Sequence, residues 1–271
     1  MTNTKTIATA IAGAAVVALA SFSTPAEAQD PVEVDVELQL LVDVSGSVDS
    51  NEFVLQRDGY VNAFKSPSII NAITSTTDPS GNPRKGKIAA ELIYWSSSNR
   101  QNVAVPWTLI DSQQASSDFA DAISAATRPF SGSTAPGSAI NFGDDRFFSN
   151  NFDGDSLVMD VSGDGAQNDG VNTANARTAA LNLGIDRING IAIGGNASVE
   201  QFYQNAIVGG ADSFFLAASS FSDFQDAIDD KILAEVTDTT PGQQVPVPST
   251  VLLLGVALLG LGLFGRQRMV T

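Results

Sequence analysis

The chain has 271 residues, with 30 acidic against 14 basic side chains, a net charge of −16, and neither cysteine nor histidine. The two absences exclude disulfides, thiolate nucleophiles, Ser-His-Asp and Cys-His catalysis, and zinc or haem sites built on His or Cys, and the acidity sets nucleic acid and anionic lipid aside as partners. What remains for chemistry is carboxylates, hydroxyls and hard cations.

Residues 1–28 carry Lys5, the apolar run from Ile7 to Phe22 and the small-x-small site Ala26-Glu27-Ala28, the pattern of a secretory signal peptide. The exported chain is expected to start near Gln29, and residues 29–236 to form one domain. Apolar patterning predicts a strand over Val34 to Val44, then a helix capped by Asp49 with Glu52 three places on and Phe53, Tyr60, Val61 and Phe64 at helical spacing. After the turn-rich stretch from Ser75 to Gly86, "KIAAELIYWSS" and "NVAVPWTLI" read as neighbouring strands joined by "SSNRQ", a hairpin at the sheet edge. Asp111 is the expected cap of a helix with Ala115, Phe119, Ala122, Ile123 and Ala126 on one face. "GSTAPGSAI" leads into another helix, and "NFDGDS" reads as a solvated turn. "SLVMDVSGDG" follows as a strand, Thr173 to Leu183 as a helix, "INGIAIGG" as a strand, Val199 to Val208 as a helix and "SFFLA" as a strand. A last helix carries a capping box from Ser222 and Gln225 and a buried stripe of Phe224, Ile228 and Ile232. Trp95 and Trp107 are assigned to the core. Gly132 and Gly137 have phosphate-loop spacing, but Ser138 stands where that loop needs Lys.

Repeated strand–helix units with apolar strands predict an α/β fold, a mostly parallel sheet covered by helices on both faces. Residues 237–248 read as a proline-rich linker, 249–265 as an uncharged membrane segment of 17 residues, and 266–271 as a basic tail that holds the C-terminus inside. Membrane contact is expected only through that segment. Leaving out Glu27, Lys5, Arg266 and Arg268, the rest of the chain holds 29 acidic against 11 basic residues, a net of −18.

In an α/β sheet, ligands bind beyond the carboxyl ends of the strands. There "DVSGS" places Asp43, Ser45 and Ser47 at alternate positions, and two other strand-end loops offer Thr134 and Asp164. Oxygen donors without nitrogen or sulfur favour magnesium, calcium or manganese. Hydroxyl donors carry no charge, so a divalent cation held on Ser and Thr stays receptive to a carboxylate from outside.

Asp43-x-Ser45-x-Ser47, the Thr of a Gly-rich loop and a later strand ending in Asp-Gly resemble the metal-ion-dependent adhesion site of von Willebrand factor A (vWA) domains. The resemblance spans about residues 34 to 235, and "GKIAAELIYWSS", "VPWTLID", "DVSGDGAQN" and "GIDRINGIAIGG" are similar to a bacterial branch of unknown function. It implies a doubly wound, Rossmann-like sheet with one antiparallel edge strand. Ser45, Ser47 and Thr134 would ligate the cation, Mg²⁺ first with Mn²⁺ or Ca²⁺ as substitutes. Asp43 and Asp164 would act largely through water, and an acidic group from a protein partner would complete the site. Asp160 adds a carboxylate behind Asp164 where the superfamily more often has one. The tail Val245-Pro246-Val247-Pro248-Ser249 resembles a PEP-CTERM sorting tag with Val in place of Glu. That implies an exosortase-type processing enzyme and a place in the periplasm or on the surface of a Gram-negative cell. The expected function is therefore cation-dependent binding in adhesion or assembly, without catalysis. The alternatives are a metal-dependent hydrolase with Asp160 or Asp164 as base, and a surface scaffold whose site is degenerate.

Overall fold

Strands rich in Val, Ile and Leu on both faces have to be covered on both faces. The computed structural model, which describes residues 30–241, shows such a sheet. Its seven strands are β1 (Val32–Asp43), β2 (Ile88–Trp95), β3 (Gln101–Ile110), β4 (Phe152–Gly163), β5 (Arg187–Ile193), β6 (Gly209–Gly210) and β7 (Phe215–Ala218). They lie in the order β3-β2-β1-β4-β5-β6, with β7 also on β5. β1 runs parallel to β2 and β4, β4 to β5, and β5 to β7, whereas β3 is antiparallel to β2 at the edge. The two-residue β6 adds a second antiparallel pairing, with Arg187 and Ile188.

Period-two alternation divides the side chains of β1 between two cores. Leu38, Leu40 and Val42 pack with Tyr60 and Phe64 of α1 (Ser50–Lys65), Phe119 of α3 (Gln113–Ala125) and Phe224 and Ile228 of α7 (Phe224–Val236). Leu41 packs on the opposite face with Trp95, Met159, Val161 and Tyr203, against α4 (Pro136–Gly143) and α5 (Thr173–Leu183). Trp95 is fully buried, and Trp107 lies edge-on to Phe147. Two short helices complete the set, α2 (Pro67–Thr74) and α6 (Ala197–Phe202).

Several local expectations need correction. α3 is capped by Ser112, whose hydroxyl accepts from the Ala115 amide, and not by Asp111. α7 begins after Asp223 without a side-chain cap, and Gln225 instead bonds Asn62 and Asp229, so Ser222 and Gln225 make no capping box. "NFDGDS" is no free turn: from Phe152 on it is the start of β4, aligned with Val32–Val36 of β1. The helix expected over Val199 to Val208 ends at Phe202 and continues as a π-turn through Tyr203–Ile207.

A cluster of charged side chains lies beneath α7. Lys231 of α7 is fully buried between Asp160, 2.7 Å away on β4, and Glu235 one turn along the helix. Glu235 also accepts from Asn189 of β5 at 2.9 Å, and Tyr60 of α1 donates to Asp160 at 3.3 Å. Among the described residues no helix is long and apolar enough to cross a membrane. The expected signal peptide, most of the linker and the membrane segment lie outside those residues.

Candidate functional site

β1 delivers Asp43 to the carboxyl end of the sheet, and the chain must then turn into α1. The turn is fixed at its far end by a full capping box: Asp49 accepts from the amides of Asn51 and Glu52, and Glu52 accepts from the Asp49 amide. Such a cap contributes about 1 kcal/mol. Between Asp43 and Asp49 the loop places Ser45 and Ser47 side by side, their hydroxyl oxygens 3.2 Å apart.

Two other loops close around this pair. Gly46 donates to the Gly132 carbonyl at 2.8 Å, which brings in the loop before α4 and sets Thr134 Oγ1 3.4 Å from Ser45 Oγ. The loop after β4 is tied to the second by Asn168: its side chain accepts from the Thr134 amide and its own amide donates to the Thr134 carbonyl. That clasp brings Asp164 into reach of Ser47, whose hydroxyl donates to it at 2.6 Å. Asp43, Ser45, Ser47, Thr134 and Asp164 thus form one hydrogen-bonded oxygen cluster drawn from three loops. Asp160 makes no hydrogen bond with any of the five. Strand alternation turns it toward Tyr60 and Lys231 instead.

Asp43 is fully buried. Its Oδ1 accepts from the Ser45 amide at 2.7 Å, while its Oδ2 has no hydrogen-bond partner. Burial pushes its carboxyl up to about 7, with the Asp164 charge adding to the rise and the Ser45 bonds and Arg128 opposing it. Asp164 is raised as well, again by burial first, against the Ser47 bond and with a contribution from Glu52. Glycine is required beside Asp43: a Cβ on Gly163 would lie 2.6 Å from both Asp43 Oδ2 and the Tyr203 hydroxyl. No three His, Cys, Asp or Glu side chains converge among the described residues, so a cation held here would rest on hydroxyls and the two carboxylates. The donor set fits a hard cation, since it is all oxygen and includes a buried carboxylate oxygen that lacks a donor.

Two contributors escape a motif search. Asn168 acts through backbone groups, and its signal is a polar amide shortly after Asp-Gly. Arg128 donates to the Val44 and Ser45 carbonyls at 2.9 and 2.6 Å, pinning the first loop from behind. Nothing in the sequence around it marks that role.

Comparison with known proteins bears on fold and sorting. Residues 33–240 match the family described as protein of unknown function (DUF1194), and residues 244–268 match the PEP-CTERM protein-sorting motif. That motif marks export to the cell envelope and exosortase-type processing. No curated protein matches the sequence. Among solved structures, proximal thread matrix protein 1 from the mussel byssus is similar at 17% identity and a TM-score of 0.53, over 75% of this chain and 47% of that one. A structure of the same mussel protein with a zinc-occupied MIDAS motif is similar at 16% identity and 0.51, over 75% and 46%. The pilus adhesin SpaC from Lactobacillus rhamnosus GG gives 17% and 0.52, over 77% and 30%. A von Willebrand factor type A structure from Catenulispora acidiphila gives 12% and 0.52, over 75% and 43%. This chain spans less than half the length of each, and at such identities the likeness is one of fold. The chain is a member of the DUF1194 family, with a PEP-CTERM sorting motif and an α/β fold like that of the vWA structure.

Proposed function

We propose that the chain is an exported, surface-associated domain that binds a protein partner through a divalent cation, in adhesion or assembly. The observation that carries this reading is Asp43 Oδ2, a fully buried carboxylate oxygen without a donor at the edge of a hydroxyl cluster. An unsatisfied buried group of this kind costs about 1–3 kcal/mol, and a cation offsets it. On this reading Ser45, Ser47 and Thr134 hold the ion and Asp43 and Asp164 balance it largely through water. Mg²⁺ is the proposed ion, with Mn²⁺ and Ca²⁺ able to substitute. The bound ion supplies a positive centre for an anionic group of the partner, because neutral hydroxyls leave its charge largely uncompensated. A fold shared with a pilus adhesin and a byssal matrix protein supports the class of function, and the sorting motif supports the location. We place the domain in the periplasm or on the surface of a Gram-negative cell, its C-terminal segment removed by an exosortase-type enzyme. Hydrolysis is the weaker reading, since both carboxylates it would use as base are engaged, Asp160 by Lys231 and Asp164 by Ser47.

Thermal unfolding after EDTA treatment, with each cation added back, tests the proposal. At a hundredfold its dissociation constant, an ion that binds only the folded form adds about 2.7 kcal/mol. The native protein should gain this stability and Asp43→Ala should not; equal responses would falsify the reading.

A further inference from the structure

An acidic partner meets an electrostatic obstacle here, since residues 30–241, with 29 acidic against 11 basic side chains, repel it at a distance. The basic residues are distributed unevenly with respect to the site. Most of them are tied into ion pairs on the surface or in the core. Arg177 is spent on the Asn205 and Val208 carbonyls, and Lys87 lies at the start of β2, the opposite end of the sheet. The remaining two, Arg100 and Arg128, flank the oxygen cluster, and neither has a carboxylate in ion-pair range among the described residues.

Their roles differ. Arg128 has committed its guanidinium to the Val44, Ser45 and Phe130 carbonyls, so it contributes a fixed positive charge beside the first loop. Arg100 is exposed, lies in the turn that follows β2 and is held there by its backbone, and the one hydrogen bond of its side chain among the described residues is a long 3.4 Å bond to the Ser131 carbonyl. The next residue, Gly132, is the one that accepts from Gly46 of the first loop. A nearby carboxylate, Asp169, is turned into the Ser98 and Gly170 amides and leaves the Arg100 fork open. A guanidinium with most of its N–H groups unspent is suited to take a carboxylate bidentately.

We infer that the partner is an acidic peptide segment that presents two carboxylates, one to the cation and the second to Arg100. The inference rests on the proposed cation-dependent binding and adds the chemistry of the partner. Arg100 is the specificity-determining residue, and Arg128 lowers the local cost of bringing negative charge to a negative domain.

The test uses labelled Gly/Ser peptides of one length, carrying either a single Glu or a second Glu one to four residues further on, titrated by fluorescence anisotropy in Mg²⁺ and in EDTA. At one spacing the two-Glu peptide should bind about tenfold tighter than the single-Glu peptide, the strength of a charge-assisted pair. Arg100→Gln should abolish that preference, and the single-Glu binding that remains should still depend on Mg²⁺. Lys87→Gln, the same change of charge at the far end of the sheet, should change neither. The inference is overturned if no spacing is preferred, if the preference survives Arg100→Gln, if Lys87→Gln erases it equally, or if no peptide binds in Mg²⁺. Binding that ignores both EDTA and Asp43→Ala overturns the underlying cation reading instead, which separates the two failures.

Discussion

Asp43 concentrates the chemistry of the site in one side chain, because β1 fixes where it ends and burial leaves it one donor short. Asp43→Asn keeps the shape and removes the buried charge. In EDTA at pH 8 this variant should be more stable than the native protein by about 1–3 kcal/mol in urea unfolding, and it should show no gain on adding Mg²⁺. Gly163 presents the converse case. Alanine there puts a methyl group 2.6 Å from Asp43 Oδ2 and the Tyr203 hydroxyl, both walled in, so Gly163→Ala should cost about 1–3 kcal/mol through overpacking and blunt the cation response. Of the site residues, Asp43, Ser45 and Ser47 were legible because their spacing is local. Asp164 could be placed only by its strand-end position; Thr134, expected on a strand-end loop as well, lies between α3 and α4, and the Gly46–Gly132 contact brings it to the site. Arg128 left no mark in the sequence and Asn168 only its place shortly after Asp-Gly, because each works on backbone carbonyls and amides that any residue could have supplied.

At the scale of elements, α7 is docked through charge as well as through Phe224, Ile228 and Ile232. Lys231 faces two buried carboxylates, and with Tyr60 and Asn189 as the other polar neighbours the group has one negative charge in excess when both are ionised. Burial accordingly pushes Glu235 up to about 7, against the attraction of Lys231. A carboxyl raised above its unfolded value favours the folded state most below the unfolded pKa, near 4.5, and loses that contribution as pH rises through about 7. Stability should therefore fall between pH 5 and 8, roughly, and Glu235→Gln should make that slope shallower in thermal unfolding across the range. Lys231→Met strands two buried carboxylates and should cost about 3–5 kcal/mol. None of this was visible in a sequence stretch that reads as an ordinary amphipathic helix. The caps show the same division on a smaller scale. Asp49 with Glu52 is a self-contained box, visible within four consecutive residues. Asp111 and Ser112 are adjacent candidates, and only the end of β3 decides which of them reaches the Ala115 amide.

At the scale of the whole molecule, the excess of acid is a long-range term. Raising NaCl from about 20 to 200 mM screens it over roughly a Debye length, so the melting temperature in EDTA should rise, whereas a neutral domain would hardly respond. The sequence by itself determined the α/β class, the parallel sheet with a hairpin edge, the export and sorting tag, and the exclusion of His and Cys chemistry. Each of these depends on composition or on residues close together along the chain. The tertiary structure decided which oxygens meet, because Ser47 and Asp164 are 117 positions apart and touch only after β1 and β4 have paired. It also decided that Asp160 faces Lys231 and not the cluster. Asp160 and Asp164 share a strand phase, but Asp160 lies within β4 on the face that packs against α1 and α7, whereas Asp164 comes after the last strand residue, where the chain is free to turn toward the other loops.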